Sequence, residues 1–243
     1  MSDSPPIVEL RRYALRPGQW AVLVNLFEEQ FIESQEALGM SLLGQFRDLD
    51  NPDSFVWLRG FADMSSRRKG LTDFYDGPIW ARYRDQANAT MVDSDNVLLL
   101  RTPSAQAALE VPRRDPAAEA QANSPVAAVI VPVAEAARAL ELFEREIAST
   151  AVSGGNTVLG YFVSETSPNN FPRLPIREDV NVLVFLVGYS DEAGLVAAKG
   201  VLEDLARVLT TEGETTEVLR LAPTPRSLLG GNSAACAFAT RST

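Results

Sequence analysis

Glu9 and Arg59 are the residues whose types and predicted positions most favour chemistry. Glu9 lies early in the apolar segment "IVELRRYAL", and Arg59 lies late in "SFVWLRGF". If these segments are neighbouring antiparallel strands, the two side chains meet near one end of a sheet. A guanidinium suits anionic oxygens, and a carboxylate beside it fixes its orientation. We therefore predict Arg59 and Glu9 as catalytic residues, in which Arg59 stabilises an enolate or phenolate and Glu9 orients Arg59. The alternative is a structural ion pair.

Aromatic residues cluster in the stretch "DFYDGPIWARYRDQANATM", residues 73–91. Pro78 follows a glycine and favours the start of a helix that would present Trp80 and Arg84 on neighbouring turns. We predict that this segment closes a cavity for a small apolar or aromatic ligand. The predicted ligand-binding residues are Tyr13, Trp57, Tyr75, Trp80 and Arg84. Aromatic residues at helical spacing are also typical of a packed core, so packing alone stays an alternative.

Composition excludes several classes of chemistry. The 243 residues contain no histidine, which excludes Ser-His-Asp hydrolysis, histidine-ligated zinc and haem held by a proximal histidine. Cys236 is the one cysteine, so we expect neither an intrachain disulfide nor a cysteine metal cluster. We therefore predict that the protein uses no metal and no cofactor.

Charge and the N-terminal sequence bear on partners and location. There are 32 acidic and 22 basic residues, and the net charge of −10 repels nucleic-acid phosphates and anionic membranes. The opening "MSDSPPIVEL" lacks the basic and apolar regions of a signal peptide, and no apolar run of about 18 residues follows. We expect a cytoplasmic protein with no nucleic-acid or membrane partner. A homo-oligomer stays open.

An internal repeat determines the predicted architecture. The segment "LFEEQFIESQEALGMSLLGQF" (26–46) aligns without a gap on "LFEREIASTAVSGGNTVLGYF" (142–162), and seven of 21 positions are identical. Around this helix each copy reads strand, helix, strand, strand, helix, strand, which favours an α+β fold of tandem ferredoxin-like βαββαβ units. The strands are apolar on both faces. We therefore predict that the two sheets pack together as an intramolecular dimeric α/β barrel.

The predicted organisation has four parts. A first unit covers residues 1–101, a linker covers 102–125, a second unit covers 126–229, and a flexible tail covers 230–243. The predicted strands are 7–15, 41–48, 54–61, 96–101, 126–132, 157–164, 180–189 and 216–221. The predicted helices lie near 17–38, from 64 to 75 or longer, and near 134–150 and 191–210, with Asp63 and Asp191 as N-caps of the second helix in each unit.

Polar residues on the predicted strands distinguish the two copies. At an offset of 116, Glu9 falls opposite Pro125, and at an offset of 128 Arg59 falls opposite Val187. A charge buried without a partner is strongly destabilising, and the second copy shows that the architecture does not need charge at these positions. The first copy is therefore predicted to keep its charged residues for a function and to hold the site. Arg67, Arg68 and Lys69 are predicted to form a solvated helix face. Residues 167–179 are predicted to form a surface connector, with a lid or partner contact as the alternative.

Three ordered segments carry a family resemblance: "VELRRYALRPG" (8–18), "FVWLRGFADM" (55–64) and "FYDGPIWARYRDQANATMVDSDNVLLLR" (74–101). With these the sequence resembles the NIPSNAP family of the dimeric α/β-barrel superfamily, almost throughout the first copy and more weakly in the second. The resemblance implies ferredoxin-like units that pair through their sheets. Relatives in the superfamily include cofactor-free monooxygenases, aromatic cyclases and isomerases, which use a cavity between sheet and helices.

Two functions stay open at this point. The first is a NIPSNAP-like barrel protein that binds a small, mostly apolar or aromatic ligand in the first unit, with cofactor-free monooxygenase or isomerase chemistry as its enzymatic form. The alternative is a non-enzymatic protein-interaction or scaffold protein with no small-molecule site. A closed, partly apolar cavity bordered by Trp57 or Arg59 would favour the first, and solid packing there would favour the second.

Overall fold

The protein is described from a computed structural model, which covers residues 5–112, 114, 124–148 and 156–237. The strands are β1 (Ile7–Leu15), β2 (Ser41–Asp48), β3 (Ser54–Phe61), β4 (Met91–Arg101), β5 (Val126–Pro132), β6 (Thr157–Ser164), β7 (Val182–Gly188) and β8 (Glu217–Pro223). The α-helices are α1 (Trp20–Leu26), α2 (Ile32–Glu36), α3 (Met64–Tyr75), α4 (Pro78–Thr90), α5 (Ala136–Leu142) and α6 (Glu192–Arg207).

The strands form one antiparallel sheet in the order β1-β3-β2-β8-β5-β7-β6-β4. Because β4 pairs in turn with β1, the order closes on itself. In each half the four strands follow the same order, with the first and third strands at the centre. The prediction of a mixed fold with an antiparallel sheet is therefore confirmed.

Alternation along the strands creates two apolar layers. Every second strand residue, such as Leu10 and Leu58 in the first half, points to one face of the sheet and shares a cluster with Val126 and Val184 from the second half. The residues between them point to the face that the helices cover, where the first half has its own cluster with Phe55 and other aromatic residues. Successive strand residues point to opposite faces, so Glu9 lies in the layer between sheet and helices.

The first helix differs from its prediction in shape. It begins at Trp20 and is interrupted by a π-helical turn, Phe27–Phe31, before α2 ends at Glu36. The second half repeats this turn at Phe143–Ile147, so the feature belongs to the shared architecture. Gly39 follows the helix at a φ of 82°, a conformation that favours glycine after a helix. The predicted end of the corresponding second-half helix, near 150, lies outside the described residues.

The segment after α3 is longer and more regular than predicted. Pro78 occupies the first turn of α4, and the following strand β4 starts at Met91 rather than near residue 96. The predicted caps of α3 and α6 are confirmed, because the carboxylates of Asp63 and Asp191 accept hydrogen bonds from the amides of Ser66 (2.6 Å) and Gly194 (2.8 Å).

The described part of the predicted tail is packed against the second half, and the described part of the predicted linker contacts both halves. Leu109 is 2% exposed and Cys236 is fully buried. The amide of Cys236 donates to the carbonyl of Val158 (3.0 Å), and Glu110 forms an isolated bridge with Ala234. Residues 230–237 thus contact the second half, and residues 238–243 lie outside the described part. Among the described helices, none is long and apolar enough to cross a membrane.

Candidate functional site

A fully buried carboxylate, that of Glu9, lies between three arginines. Its Oε2 accepts hydrogen bonds from Arg11 Nη1 (2.9 Å) and Arg59 Nη2 (2.6 Å), and its Oε1 accepts one from Arg67 Nε (2.7 Å). All four residues are 0% exposed. We call Glu9, Arg11, Arg59 and Arg67 the arginine cluster.

The strand register explains how the arginine cluster assembles. Glu9 and Arg11 are alternate residues of β1, so their side chains share a face. Glu9 lies directly opposite Arg59 in the antiparallel pair of β1 and β3, which confirms the contact expected between them. Arg67 enters from α3, four residues after its N-cap Asp63. A strand pair and the helix that covers it therefore supply all four side chains.

The sequence prediction that Arg67 lies on a solvated helix face is wrong. Arg68 and Lys69 are exposed as predicted, but Arg67 is buried. It shares the buried face of α3 with Gly70, Leu71 and Phe74, which follow at helical spacing. The signal was present in this spacing, because a residue three or four positions before buried residues faces the same side.

The electrostatics keep the Glu9 carboxylate ionised. Burial alone would raise its pKa, but Arg59, Arg11 and Arg67 hold the pKa of Glu9 well below its usual range. Burial would lower the pKa of Arg11, yet Tyr13 and Glu9 hold it above its ordinary value. A carboxylate of such low basicity is a poor proton acceptor. The catalytic role of Glu9, in which it orients the arginines, stays a prediction.

The arginine cluster carries more positive charge than Glu9 neutralises. Three guanidinium groups and one carboxylate leave a formal charge of +2 in a fully buried layer. Burial, opposed by Glu9, lowers the pKa of Arg67. Within the described part of the chain, Arg67 Nη2 and Trp57 Nε1 are buried donors that find no acceptor. Buried polar groups without partners are rare, so these donors call for an explanation.

Aromatic rings surround the arginine cluster. Tyr13 packs edge-on against Trp57 at 5.8 Å between centroids, and its hydroxyl accepts a hydrogen bond from Arg11 Nε (3.1 Å). The Arg59 Cζ lies 5.0 Å from the Trp57 ring. Tyr75 contacts Trp80 at 4.9 Å, and burial, with Tyr13, raises the Tyr75 pKa.

Four of the five predicted ligand-binding residues therefore lie in one aromatic layer: Tyr13, Trp57, Tyr75 and Trp80. Arg84 does not belong to it. Its side chain is 58% exposed and lies 3.4 Å from Asp85, because it projects from the solvent side of α4. The helical spacing predicted α4 correctly but not which side of it faces the core.

A segment of the second half covers the arginine cluster. We call residues 165–181, between β6 and β7, the strap. The Oδ1 atoms of Asn169 and Asn170 accept from Arg67 Nη1 at 3.1 and 2.7 Å. Phe171 is 6% exposed and packs 5.9 Å from the Tyr75 ring. Most of the strap lies at the surface as predicted, and Asn169, Asn170 and Phe171 also contact the first half.

The second half has no equivalent charge at these positions. In the pairing register Glu9 lies opposite Arg59, and Ala127 lies opposite Val187, so the first strands correspond at an offset of 118 rather than the predicted 116. Arg67 corresponds to Leu195, which also follows its N-cap Asp191 by four residues and is 0% exposed. The same architecture therefore packs with apolar residues where the first half holds the arginine cluster.

Two clefts on the described surface lie away from the arginine cluster. One of ≈ 570 Å³ runs along β4, β6 and the strap, and is bordered by Leu98, Ser164 and Ile176. The other, of ≈ 280 Å³, is bordered by Val133 and Leu142. Neither is bordered by Trp57 or Arg59. The rings predicted to line a cavity instead contact one another, which agrees with the packing alternative in this conformation.

Fold and site together define a closed antiparallel α/β protein whose first half holds a buried, arginine-rich cluster. Residues 8–106 match the NIPSNAP family model, in agreement with the sequence resemblance. The matched region contains all four residues of the arginine cluster. No curated protein sequence matches the chain significantly.

Several solved structures share the fold over nearly the whole chain. A protein of Fusobacterium nucleatum described as a "putative monooxygenase" is 12% identical, with 96% of this chain and 98% of the other covered and a TM-score of 0.57. A protein of Lactobacillus acidophilus with the same description is 13% identical, with 90% and 94% covered and a TM-score of 0.53. An anthrone oxidase-like protein is 9% identical, with 95% and 98% covered and a TM-score of 0.54. At these identities the likeness shows the fold alone.

Proposed function

We propose that the first half binds a small aromatic or apolar anion whose charged oxygens lie against the arginine cluster. The observation that carries this proposal is the buried formal charge of +2 on the arginine cluster. Charges removed from water are strongly destabilising unless they are paired. A bound anion would neutralise part of this charge, and the surrounding rings would contact its apolar body.

Arg67 is the best placed anion ligand of the arginine cluster. Its Nε donates to Glu9 and its Nη1 to the strap, which leaves Nη2 as a buried donor without an acceptor among the described residues. Arg59 uses Nε and Nη2 for Glu9 and Nη1 for Gln35. Glu9 therefore fixes the orientation of the arginines, and Arg67 offers the free donor to a carboxylate, phenolate or enolate.

The chemistry that this arrangement suits is cofactor-free stabilisation of an oxyanion. Arginines fixed in a dry layer stabilise a phenolate or enolate more than water does, and they need no reorganisation when charge develops. A phenol that gives its proton to water would be held here as the phenolate by this stabilisation. The support lies in the buried charge of this chain. The descriptions of its structural neighbours add only that the fold admits such chemistry.

We further propose that the two halves are tandem ferredoxin-like units and that the strap controls entry to the first. The equal order of elements and strands in the two halves supports the repeat. Because all four cluster residues are fully buried, a ligand reaches them only when a covering segment moves. One contact of the strap with the first half is an exposed pair of Arg173 with Asp76 (2.6 Å), and such pairs are weak. Opening must also separate Phe171 from the Tyr75 ring and break the hydrogen bonds of Arg67 with Asn169 and Asn170.

A thermal-shift screen of benzoate, hydroxybenzoates, naphthoates and quinones tests the anion site. We expect at least one aromatic acid, at about 100 times its Kd, to raise the Tm by about 5–10 °C. Arg67→Met keeps the shape of the side chain but removes its charge. It should weaken binding about tenfold, which removes about half of the shift at the same ligand concentration.

Arg68→Met is the matched control, because Arg68 neighbours Arg67 in sequence but is exposed. It should leave the shift unchanged. If no acid shifts the Tm, or if the Arg67→Met protein responds as the wild type does, the anion site is wrong.

The second candidate function is a non-enzymatic interaction protein. The ring-on-ring packing around Trp57 favours it, since Phe27 lies 4.8 Å and Tyr13 5.8 Å from that ring. In that case the arginine cluster is purely structural, and the screen described above returns no ligand.

A further inference from the structure

Beside the arginine cluster, three polar residues stand next to one another across the sheet. Trp57 of β3 lies opposite Arg11 on one side and opposite Gln45 of β2 on the other. Gln45 is followed across the sheet by Thr224, whose amide donates to the Gln45 carbonyl (2.9 Å). Residues directly opposite in a sheet share a face. We call Trp57, Gln45 and Thr224 the polar row. Its first residue, Trp57, lies directly opposite Arg11 of the arginine cluster.

The polar row is buried and its hydrogen-bonding capacity is unused. Gln45 is 0% exposed, and both Thr224 and Trp57 are 2% exposed. Gln45 Oε1 and Nε2, Thr224 Oγ1 and Trp57 Nε1 find no hydrogen-bond partner among the described residues. Leaving a buried polar atom unpaired is destabilising, and an apolar residue of similar shape would avoid the loss. Four such atoms on three neighbouring residues of the sheet therefore indicate a polar group that occupies this place in the functional protein.

The second half shows that the architecture does not require the polar row. There Tyr161 stands where the first half has Gln45, and Phe185 stands where it has Trp57. The Tyr161 hydroxyl donates to Glu144 Oε1 (2.7 Å), so this polar group is satisfied within the chain. Among the described residues, the unpaired polar atoms lie in the first half, except Thr224 Oγ1, which the second half contributes next to Gln45.

We infer that the polar row is the second part of the binding site and that it recognises a hydroxyl or carbonyl group on the same ligand. This inference rests on the proposed anion site and narrows its ligand to aromatic acids that carry a second oxygen. The Gln45 amide and the Thr224 hydroxyl can each donate and accept, as a hydroxyl group does, whereas Trp57 Nε1 only donates. A plain aromatic acid would leave these atoms unpaired.

The test compares benzoate with 3-hydroxybenzoate, 4-hydroxybenzoate and the neutral phenols resorcinol and hydroquinone, using calorimetric titration of the full chain. We expect the better hydroxybenzoate to bind the wild type at least about tenfold more tightly than benzoate. In Gln45→Met, which keeps the volume of the side chain, the affinity for the hydroxybenzoate should fall until this preference is nearly onefold. Thr224→Val should reduce the same preference and serves if Gln45→Met does not fold.

Stability without ligand gives an independent readout. Gln45→Met removes two buried unpaired atoms, so its Tm should rise by a few degrees. Gln35→Met is the matched control, since Gln35 is also buried but is bonded to Arg59 (2.8 Å) and to the carbonyl of Phe31 (3.0 Å), and its Tm should fall.

The outcomes separate this inference from the anion site. If benzoate binds but the hydroxyl preference is absent or survives in Gln45→Met, the polar row is overturned and the anion site stands. If the phenols bind in a Gln45-dependent way while benzoate does not bind, the anion site fails, and the polar row binds hydroxyl groups but is not the second part of an acid site. A fall in Tm for Gln45→Met, or no binding by any of these compounds, overturns the polar row.

Discussion

Glu9→Gln is expected to lower the free energy of unfolding by about 3–5 kcal/mol, because it leaves three buried arginines without their common counter-ion. The carboxylate accepts hydrogen bonds from Arg11, Arg59 and Arg67, and an amide offers one acceptor oxygen in place of two. For a chain of this size, the loss corresponds to a fall in Tm of about 10 °C or more. Urea unfolding followed by circular dichroism measures it.

Glu217→Gln is the control for this variant. Glu217 also pairs with an arginine, Arg12, but its side chain is 40% exposed. Such pairs contribute within about 1 kcal/mol, so the control should stay close to the wild type. If Glu9→Gln lowered the free energy of unfolding as little as Glu217→Gln does, Glu9 would not be the common counter-ion of three buried arginines.

The loss in Glu9→Gln should also depend on pH, and the sign follows from the Glu9 pKa. The arginines hold this pKa below its ordinary value of 4.5, so the unfolded chain takes up the proton first as the pH falls. The stabilisation by Glu9 is therefore fully present above pH 4.5 and is lost below it. The difference in stability between wild type and Glu9→Gln should be constant near neutral pH and shrink progressively below pH 4.5.

The contact of Glu9 with Arg59 could be predicted from sequence because it depends on two local regularities. Strand alternation places Glu9 on one face, and the antiparallel neighbourhood of the first and third strands brings Arg59 opposite. Both follow from the order of elements in each copy. The offset of 118 between the first strands could not be found, since the identities that anchor the repeat lie in the helix and the second strand.

Arg67 was missed for a different reason. Its neighbours Arg68 and Lys69 are exposed, and a run of three basic residues is usually solvated. A comparison of the two N-caps would have found it, because Arg67 and Leu195 each follow an aspartate by four residues. The contacts of the strap could not be predicted, because Asn170 and Arg67 are 103 residues apart and no periodic pattern links them.

A fourfold variant combines Glu9→Leu, Arg11→Met, Arg59→Met and Arg67→Met. It is expected to be much more stable than the summed effects of the four single substitutions would predict. Removing one member of a buried charge network is strongly destabilising, whereas replacing the whole network by apolar residues of similar volume is often neutral or stabilising by about 1–4 kcal/mol. The second half already packs Ala127, Val187 and Leu195 at corresponding positions. We therefore expect the fourfold variant to unfold at or above the wild-type urea midpoint.

This result, set beside the loss in Glu9→Gln, would show that the buried charge is maintained for binding and not for folding. The fourfold variant should also lose every thermal shift given by aromatic acids, because no cation is left to receive their oxygens. If instead it is less stable than Glu9→Gln, the arginine cluster is needed to hold β1, β3 and α3 together. The interaction-protein function then becomes the better account of the first half, since a structural ion network needs no ligand.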